Sequence, residues 1–171
     1  MVMRKPGPLL AWFNRAPSYL YRAHLGALLG PRLVMITTTG RTSGRIRRTV
    51  VQVYARGTTP GGSQPPVLHV LASRGRRSDW YANATAAGRV RVDWMARHAT
   101  VDVQRLDLDE RAELLADYAH REPKAAALLV RAVLDEQSTG EAAQVRRLAT
   151  AVRALRLGPL ASAGADVAPP R

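Results

Sequence analysis

Short β-branched and aromatic runs, each ended by glycine, proline or a charged turn, constrain the fold of this chain more than any other feature. Residues 32–39 carry Leu33-Val34-Met35-Ile36 into three threonines, and residues 49–55 and 67–73 form two further runs of the same kind. Val90, Val92 and Trp94 then alternate with Arg89, Arg91 and Asp93, and Val101 and Val103 alternate with Thr100, Asp102 and Gln104. A period of two turns every second side chain toward a core. Five or more short antiparallel strands predict a barrel or a sandwich. Between the second and third runs, the Gly/Pro/Ser-rich residues 57–66 predict a long hairpin loop.

Helices read as additions to those strands. Ser78 or Asp79 caps a short helix that ends at Gly88 and turns Trp80 and Tyr81 inward. Asp107-Leu108-Asp109-Glu110 has the spacing of a capping box that opens a helix to about His120, so these carboxylates are caps rather than a catalytic pair. Pro123 starts another helix to about Leu134, and Val145, Leu148, Val152 and Leu155 space a further one over residues 141–155. The apolar stretch of residues 9–30 is interrupted by Arg15, Pro17, Arg22 and His24, so it does not span a membrane. It reads as an amphipathic helix capping the domain, with a membrane-surface contact or a substrate lid as the alternative. The 171 residues predict one domain over 1–156, made of this helix (1–30), a barrel core (32–106) and helices (107–156), then a disordered tail over 157–171.

The chemistry concentrates in Thr37-Thr38-Thr39-Gly40-Arg41-Thr42-Ser43-Gly44-Arg45-Ile46-Arg47-Arg48-Thr49, which sets two glycines and four arginines among hydroxyl residues between two strands. Glycines let backbone approach a ligand, hydroxyls and free N–H groups donate to oxyanions, and arginines add fixed charge with forked donors. That composition suits an anion clamp, against the plainer reading of a solvated hairpin turn. It is not a P-loop, because three residues rather than four separate Gly40 from Gly44 and Arg45 follows; a Rossmann fingerprint is absent too. With no cysteine, disulfides, thiolate metal sites and cysteine nucleophiles are excluded, and the four scattered histidines have no metal-ligand spacing, so no metal is expected. A formal net charge of +13 seeks anions: nucleic acid, an anionic membrane surface or a polyanionic cofactor. Nucleic acid is not expected, since no aromatic-basic motif accompanies the charge.

The order of parts, Thr-Thr-Gly-Arg-x-Ser-Gly-x-x-Arg after a strand, then Ala-Ser-Arg, Trp-Tyr-x-Asn and Arg-Val-x-Val, resembles the deazaflavin-dependent nitroreductase and quinone reductase family over about residues 32–106. The resemblance implies an α+β split β-barrel of the flavin-reductase, pyridoxamine-phosphate-oxidase-like kind. It implies coenzyme F420, a deazaflavin with a phosphate and an oligoglutamate tail, as cofactor, with FMN as the alternative. Arg41, Ser43, Gly44 and Arg47 would then hold phosphate and tail, Thr49 and Val50 would lie beside the ring, Ser73 and Arg74 against ring or phosphate, and Trp80 and Asn83 would close the pocket. The reaction implied is hydride transfer to a hydrophobic acceptor such as a quinone, an enone or a nitroaromatic compound, with Ser73 or Tyr118 relaying a proton.

The chain departs from the family pattern in places. Thr42 stands where lysine is common, the connection from Ser73 to Trp80 is short, Ala87-Gly88 replaces Asn-Pro, and the tyrosine-rich helix of quinone-reducing relatives is missing. Glu122-Pro123-Lys124-Ala125-Ala126-Ala127-Leu128-Leu129 stands there instead and would line a greasier cavity. A non-catalytic lipid- or fatty-acid-binding member of the same fold is therefore the runner-up. The expected state is a monomer or homodimer, cytoplasmic, with residues 9–30 able to place it at the inner face of a membrane.

Overall fold

In the computed structural model, which describes residues 31–57, 67–95 and 97–159, the strand runs pair into a closed antiparallel barrel. The strands are β1 (Leu33–Thr39), β2 (Ile46–Gly57), β3 (Val67–Ala72), β4 (Arg89–Trp94), β5 (Arg97–Arg105) and β6 (Arg153–Leu157), in the order β1-β2-β3-β6-β5-β4, and β1 pairs with β4 to close the ring. Four α-helices accompany them among the described residues, α1 (Asp79–Ala87), α2 (Leu108–Arg121), α3 (Pro123–Leu134) and α4 (Ala142–Ala151), with one 3-10 turn at Gly75–Arg77. The α+β barrel expected from the sequence is the fold observed. The N-terminal helix, the tip of the 57–66 loop and the tail beyond residue 159 lie outside the described residues.

Two boundaries differ from the sequence reading. The helix expected over 141–155 stops at Ala151, and the chain enters β6 two residues later. Val152 is extended, and Ala154, Leu155 and Leu157 are fully buried between β3 and β5. Without β6 both of those strands would present unpaired edges, so ring closure decides a segment whose spacing also fits a helix. The barrel thus runs to Leu157 and not to residue 106. The second correction concerns β2, which begins at Ile46 and not at Thr49. Arg47 and Arg48 are therefore strand residues opposite Thr38 and Thr37, and the connecting turn is only Gly40–Arg45.

Two apolar cores result. Val34, Ile36, Val51, Val53, Leu68, Val70, Val92, Leu155 and Leu157 fill the barrel, and Ala84 of α1 packs into the same cluster with Trp80 and Tyr81 against it, half-buried as the inward reading predicts. Outside the barrel, Tyr54 and Leu71 meet Leu114, Leu115 and Tyr118 of α2, Ala126, Leu129 and Val130 of α3, and Leu148 and Ala149 of α4. Tyr54 is the extra residue of a bulge, because the β2–β3 register passes from Val53 opposite Val70 to Ala55 opposite His69. The Tyr54 carbonyl accepts from Arg121 Nη2 at 3.1 Å, which fastens α2 to the bulge. The capping box is present in both halves: Asp107 Oδ1 accepts from the Glu110 N–H and Glu110 Oε2 from the Asp107 N–H, each at 2.9 Å. Asp109 pairs with Arg146 at 3.0 Å instead of capping.

Candidate functional site

A cleft of about 610 Å³ follows β2 and is closed on its other side by the β3–α1 connection. Its wall consists of Arg47 to Gln52 and Tyr54 from β2, Leu71 from β3, Ser73, Arg74 and Arg77 from the connection, and Ser78, Asp79 and Trp80 at the start of α1. The size is that of a small-molecule site.

Alternation along β2 distributes this wall. Arg47, Thr49 and Val51 lie opposite Thr38, Ile36 and Val34, which puts them on the barrel's interior face and rim. Arg48, Val50, Gln52 and Tyr54 take the outer face. The cleft thus changes character along the strand, from guanidinium groups at one end to an amide, an aromatic ring and Leu71 at the other. Arg48 and Gln52 are four residues apart, about 13 Å along an extended strand.

The charged end is not neutralised. Arg47, Arg48, Arg74 and Arg77 form no ion pair among the described residues, and the wall's one carboxylate, Asp79, is 3.7 Å from Arg41 Nη1. Ser78 sits at the N-cap position of α1 and is 6% exposed, yet its hydroxyl does not cap the helix. It faces the cleft wall without a hydrogen-bond partner among the described residues. The first N–H groups of α1 and this hydroxyl therefore stand beside four unpaired arginines, an arrangement that attracts and orients oxyanions. Gly75 makes the connection possible: its φ is +55°, and a Cβ there would fall 2.7 Å from the carbonyl oxygen of Ala151 at the end of α4.

The hairpin turn plays a different part. Gly40 N–H donates to the Arg45 carbonyl at 2.9 Å and Gly44 N–H to the Gly40 carbonyl at 2.8 Å, so the turn closes on itself. Asn83, buried in α1, accepts through Oδ1 from the Arg41 N–H at 3.2 Å and from Arg41 Nη1 at 3.0 Å. Arg41 and Asn83 thus hold each other and fix the turn against α1. At Gly40 a Cβ would meet Ser43 Oγ at 2.6 Å and Arg47 Nε at 3.4 Å, so the turn and the Arg47 side chain pack over a position that only glycine fits without displacement.

Of the cofactor-binding residues inferred from the sequence, Arg47, Thr49, Val50, Ser73, Arg74 and Trp80 come together in the cleft wall. Arg41, Ser43, Gly44 and Asn83 are not part of it. Tyr118 is buried behind the wall, with its ring 4.7 Å from Tyr54 and its hydroxyl accepting from Gln52 Nε2 at 2.9 Å. Burial, and after it the neighbouring Tyr118, push the Tyr54 hydroxyl's pKa up, so it stays protonated. The greasy lining expected from residues 122–129 is not found: none belongs to the wall, Ala126 and Leu129 are buried in the outer core, and Leu128 is 69% exposed. Amphipathic spacing accounts for this, since it turns α3 toward its neighbouring helices rather than toward β2. Arg48, Val51, Gln52, Tyr54, Leu71, Arg77, Ser78 and Asp79 are wall residues that the sequence reading does not assign to the site; an arginine cluster running into an N-cap serine, Arg74 to Ser78, is the signal available for two of them, Arg77 and Ser78. Among the described residues no group of three His, Cys, Asp or Glu side chains could hold a metal, and no helix is long and apolar enough to cross a membrane.

A family model described as F420H(2)-dependent quinone reductase matches residues 19–128. No curated protein sequence matches the chain. Solved structures similar to it include an F420-H2 dependent reductase, FDR-A, at 18% identity with 74% of this chain and 94% of that chain covered and a TM-score of 0.47. Another is described as a domain-swapped dimer, at 15% identity with 84% and 100% covered and a TM-score of 0.46. A third is a pyridoxamine 5′-phosphate oxidase-related, FMN binding protein from Nostoc punctiforme, at 12% identity with 93% and 83% covered and a TM-score of 0.49.

Proposed function

Because the chain belongs to the F420H(2)-dependent quinone reductase family, a family of oxidoreductases, we propose that the cleft along β2 takes coenzyme F420 and serves its reduction of a hydrophobic acceptor. The observation that carries this reading is the set of four arginines, Arg47, Arg48, Arg74 and Arg77, in one wall beside the Ser78 hydroxyl, none of them paired among the described residues. All four are exposed, so their mutual repulsion is screened by solvent, and a phosphate with an acidic tail complements their charge. These residues fit the anionic part of the coenzyme, and Val50, Gln52, Tyr54 and Leu71 fit a planar, partly apolar ring.

When bound in its reduced form, the coenzyme supplies a hydride. The protein's contribution is then to orient and to exclude water. Arg47, Arg48, Arg74 and Arg77 hold the anionic end, Trp80 supplies a half-buried aromatic wall edge-on to Tyr81 with centroids 6.2 Å apart, and Leu71 keeps the ring end apolar. Ser73, exposed at the cleft, would pass a proton to a reduced acceptor; Tyr118 lies behind the wall, its hydroxyl bonded to Gln52. The acceptor classes are a quinone, following the family's description, then an enone or a nitroaromatic compound.

Titration of the purified protein with oxidised F420 and, in parallel, with FMN tests the reading through ligand fluorescence. Tight binding of F420 that weakens in Arg47→Ala, followed by quinone-dependent oxidation of reduced F420, is the expected result. Binding of FMN alone turns the reading to an FMN-using reductase, and binding of neither turns it to the lipid-binding alternative.

A further inference from the structure

Gln52 is held in a way that the charged end of the cleft does not require. Its Nε2 donates to the Tyr118 hydroxyl at 2.9 Å, and Tyr118 is only 4% exposed, packed against Tyr54 with ring centroids 4.7 Å apart. Tyr54 is itself buried, and its carbonyl accepts from Arg121, so the support behind Gln52 is packed and tied to α2. One amide hydrogen of Gln52 is thereby committed to the protein. Oε1 and the second amide hydrogen have no partner among the described residues, and Gln52 lines the cleft. A carboxamide fixed in this way offers one acceptor and one donor side by side.

We propose that Gln52 recognises the imide edge of the ring system, accepting from the imide N–H through Oε1 and donating through Nε2 to a flanking carbonyl, with Tyr118 as the positioning residue behind it. This rests on the reading of the cleft as an F420 site and assigns the ring end that the arginines leave unspecified. The spacing supports it, because Gln52 stands about 13 Å along β2 from Arg48, so phosphate and ring are read at opposite ends of one strand. Deazaflavin and flavin rings share this edge, whereas a quinone has no N–H to give. The imide edge thus engages both the acceptor and the donor of Gln52, whereas a quinone engages only the donor. A site that leaves a polar group unpaired rejects the ligand lacking its partner more strongly than simple loss of contact would.

The test compares two probes without phosphate or tail: the deazaflavin ring carrying its ribityl chain, and the same compound methylated at the imide nitrogen. The expected result is that the wild-type chain binds the methylated ring about five- to tenfold more weakly, that Gln52→Leu removes this discrimination, and that Gln52→Glu, which retains an acceptor, keeps it. Tyr118→Phe reduces the ratio by freeing the carboxamide. Equal binding of both rings by the wild type, or a ratio unchanged in Gln52→Leu, overturns the role of Gln52 while F420 binding stands. Loss of all binding, of F420 as well as of both rings, overturns the reading of the cleft and this assignment with it.

Discussion

Replacing Arg77 by Gln separates a clamp built in the cleft from one built in the hairpin turn. Arg77 belongs to the cleft wall and Arg45 lies in the turn, outside the wall; both are exposed, and neither has a carboxylate partner among the described residues. Both substitutions remove one positive charge, so their effect on the net charge of +13 is the same. A hydrogen bond to an ionised oxygen contributes ~1.5–3 kcal/mol, and exposure reduces this for Arg77 to about 1–2 kcal/mol. That corresponds to about a five- to thirtyfold rise in the Kd of F420. Arg45→Gln acts only through the long-range field and stays within about twofold. Fluorescence titration at about 0.05 M and 0.5 M salt gives both numbers: added salt shortens the Debye length to a few Å, which removes the Arg45 effect and leaves most of the Arg77 one. Equal losses in the two variants would mean that the protein attracts the coenzyme by its overall field. A larger loss for Arg45→Gln would place the anion at the turn and refute the cleft assignment.

Other perturbations probe the frame around the site. Leu155→Ala removes a fully buried side chain from the strand that closes the barrel, and a cost of about 2–5 kcal/mol lowers the thermal midpoint by roughly 6–15 °C, whereas a solvent-facing helical position would lose almost nothing. Gly40→Ala drives a methyl group against Ser43 Oγ and is expected to lower the midpoint by a few degrees; combining it with Ser43→Gly recovers most of the loss, and no recovery would show that the backbone rather than this contact resists the substitution. His69 is held below the usual imidazole pKa by burial first and then by Arg156, whose Nε lies 3.4 Å from its Nε2. The folded state therefore binds fewer protons than the unfolded one, so the stability tied to His69 is complete above about pH 6.5 and falls as the pH drops below it. Midpoints recorded from pH 7.5 to 5.5 show that fall in the native chain and a shallower one in His69→Gln; identical slopes would remove His69 from the account.

The barrel was largely legible because its strands are half-buried on alternate residues, and a period of two survives in Val90 to Trp94 and in Val101 and Val103 whatever the surroundings. β6 was not, for a physical reason: Arg-Ala-Leu-Arg-Leu is five residues long, and Leu155 follows Val152 and Leu148 at helical spacing. A segment that short satisfies both periods, and only the unpaired edges of β3 and β5 choose between them. The same limit applies to the cleft. Arg47 and Arg48 are adjacent in sequence but point to opposite faces of β2, and the cleft becomes basic through Arg74 and Arg77, more than twenty residues away, because Gly75 turns the connection back toward β2. Residue type identified the chemistry and the register determined which residues share it. Arg41 and Asn83 carry the argument further, since they belong to the motif that marks the chain yet bind each other across the gap between turn and α1. Their geometry makes them the brace that keeps Arg47 and the start of α1 at a fixed separation, and a brace of that kind leaves as plain a trace in the sequence as a contact to the ligand would.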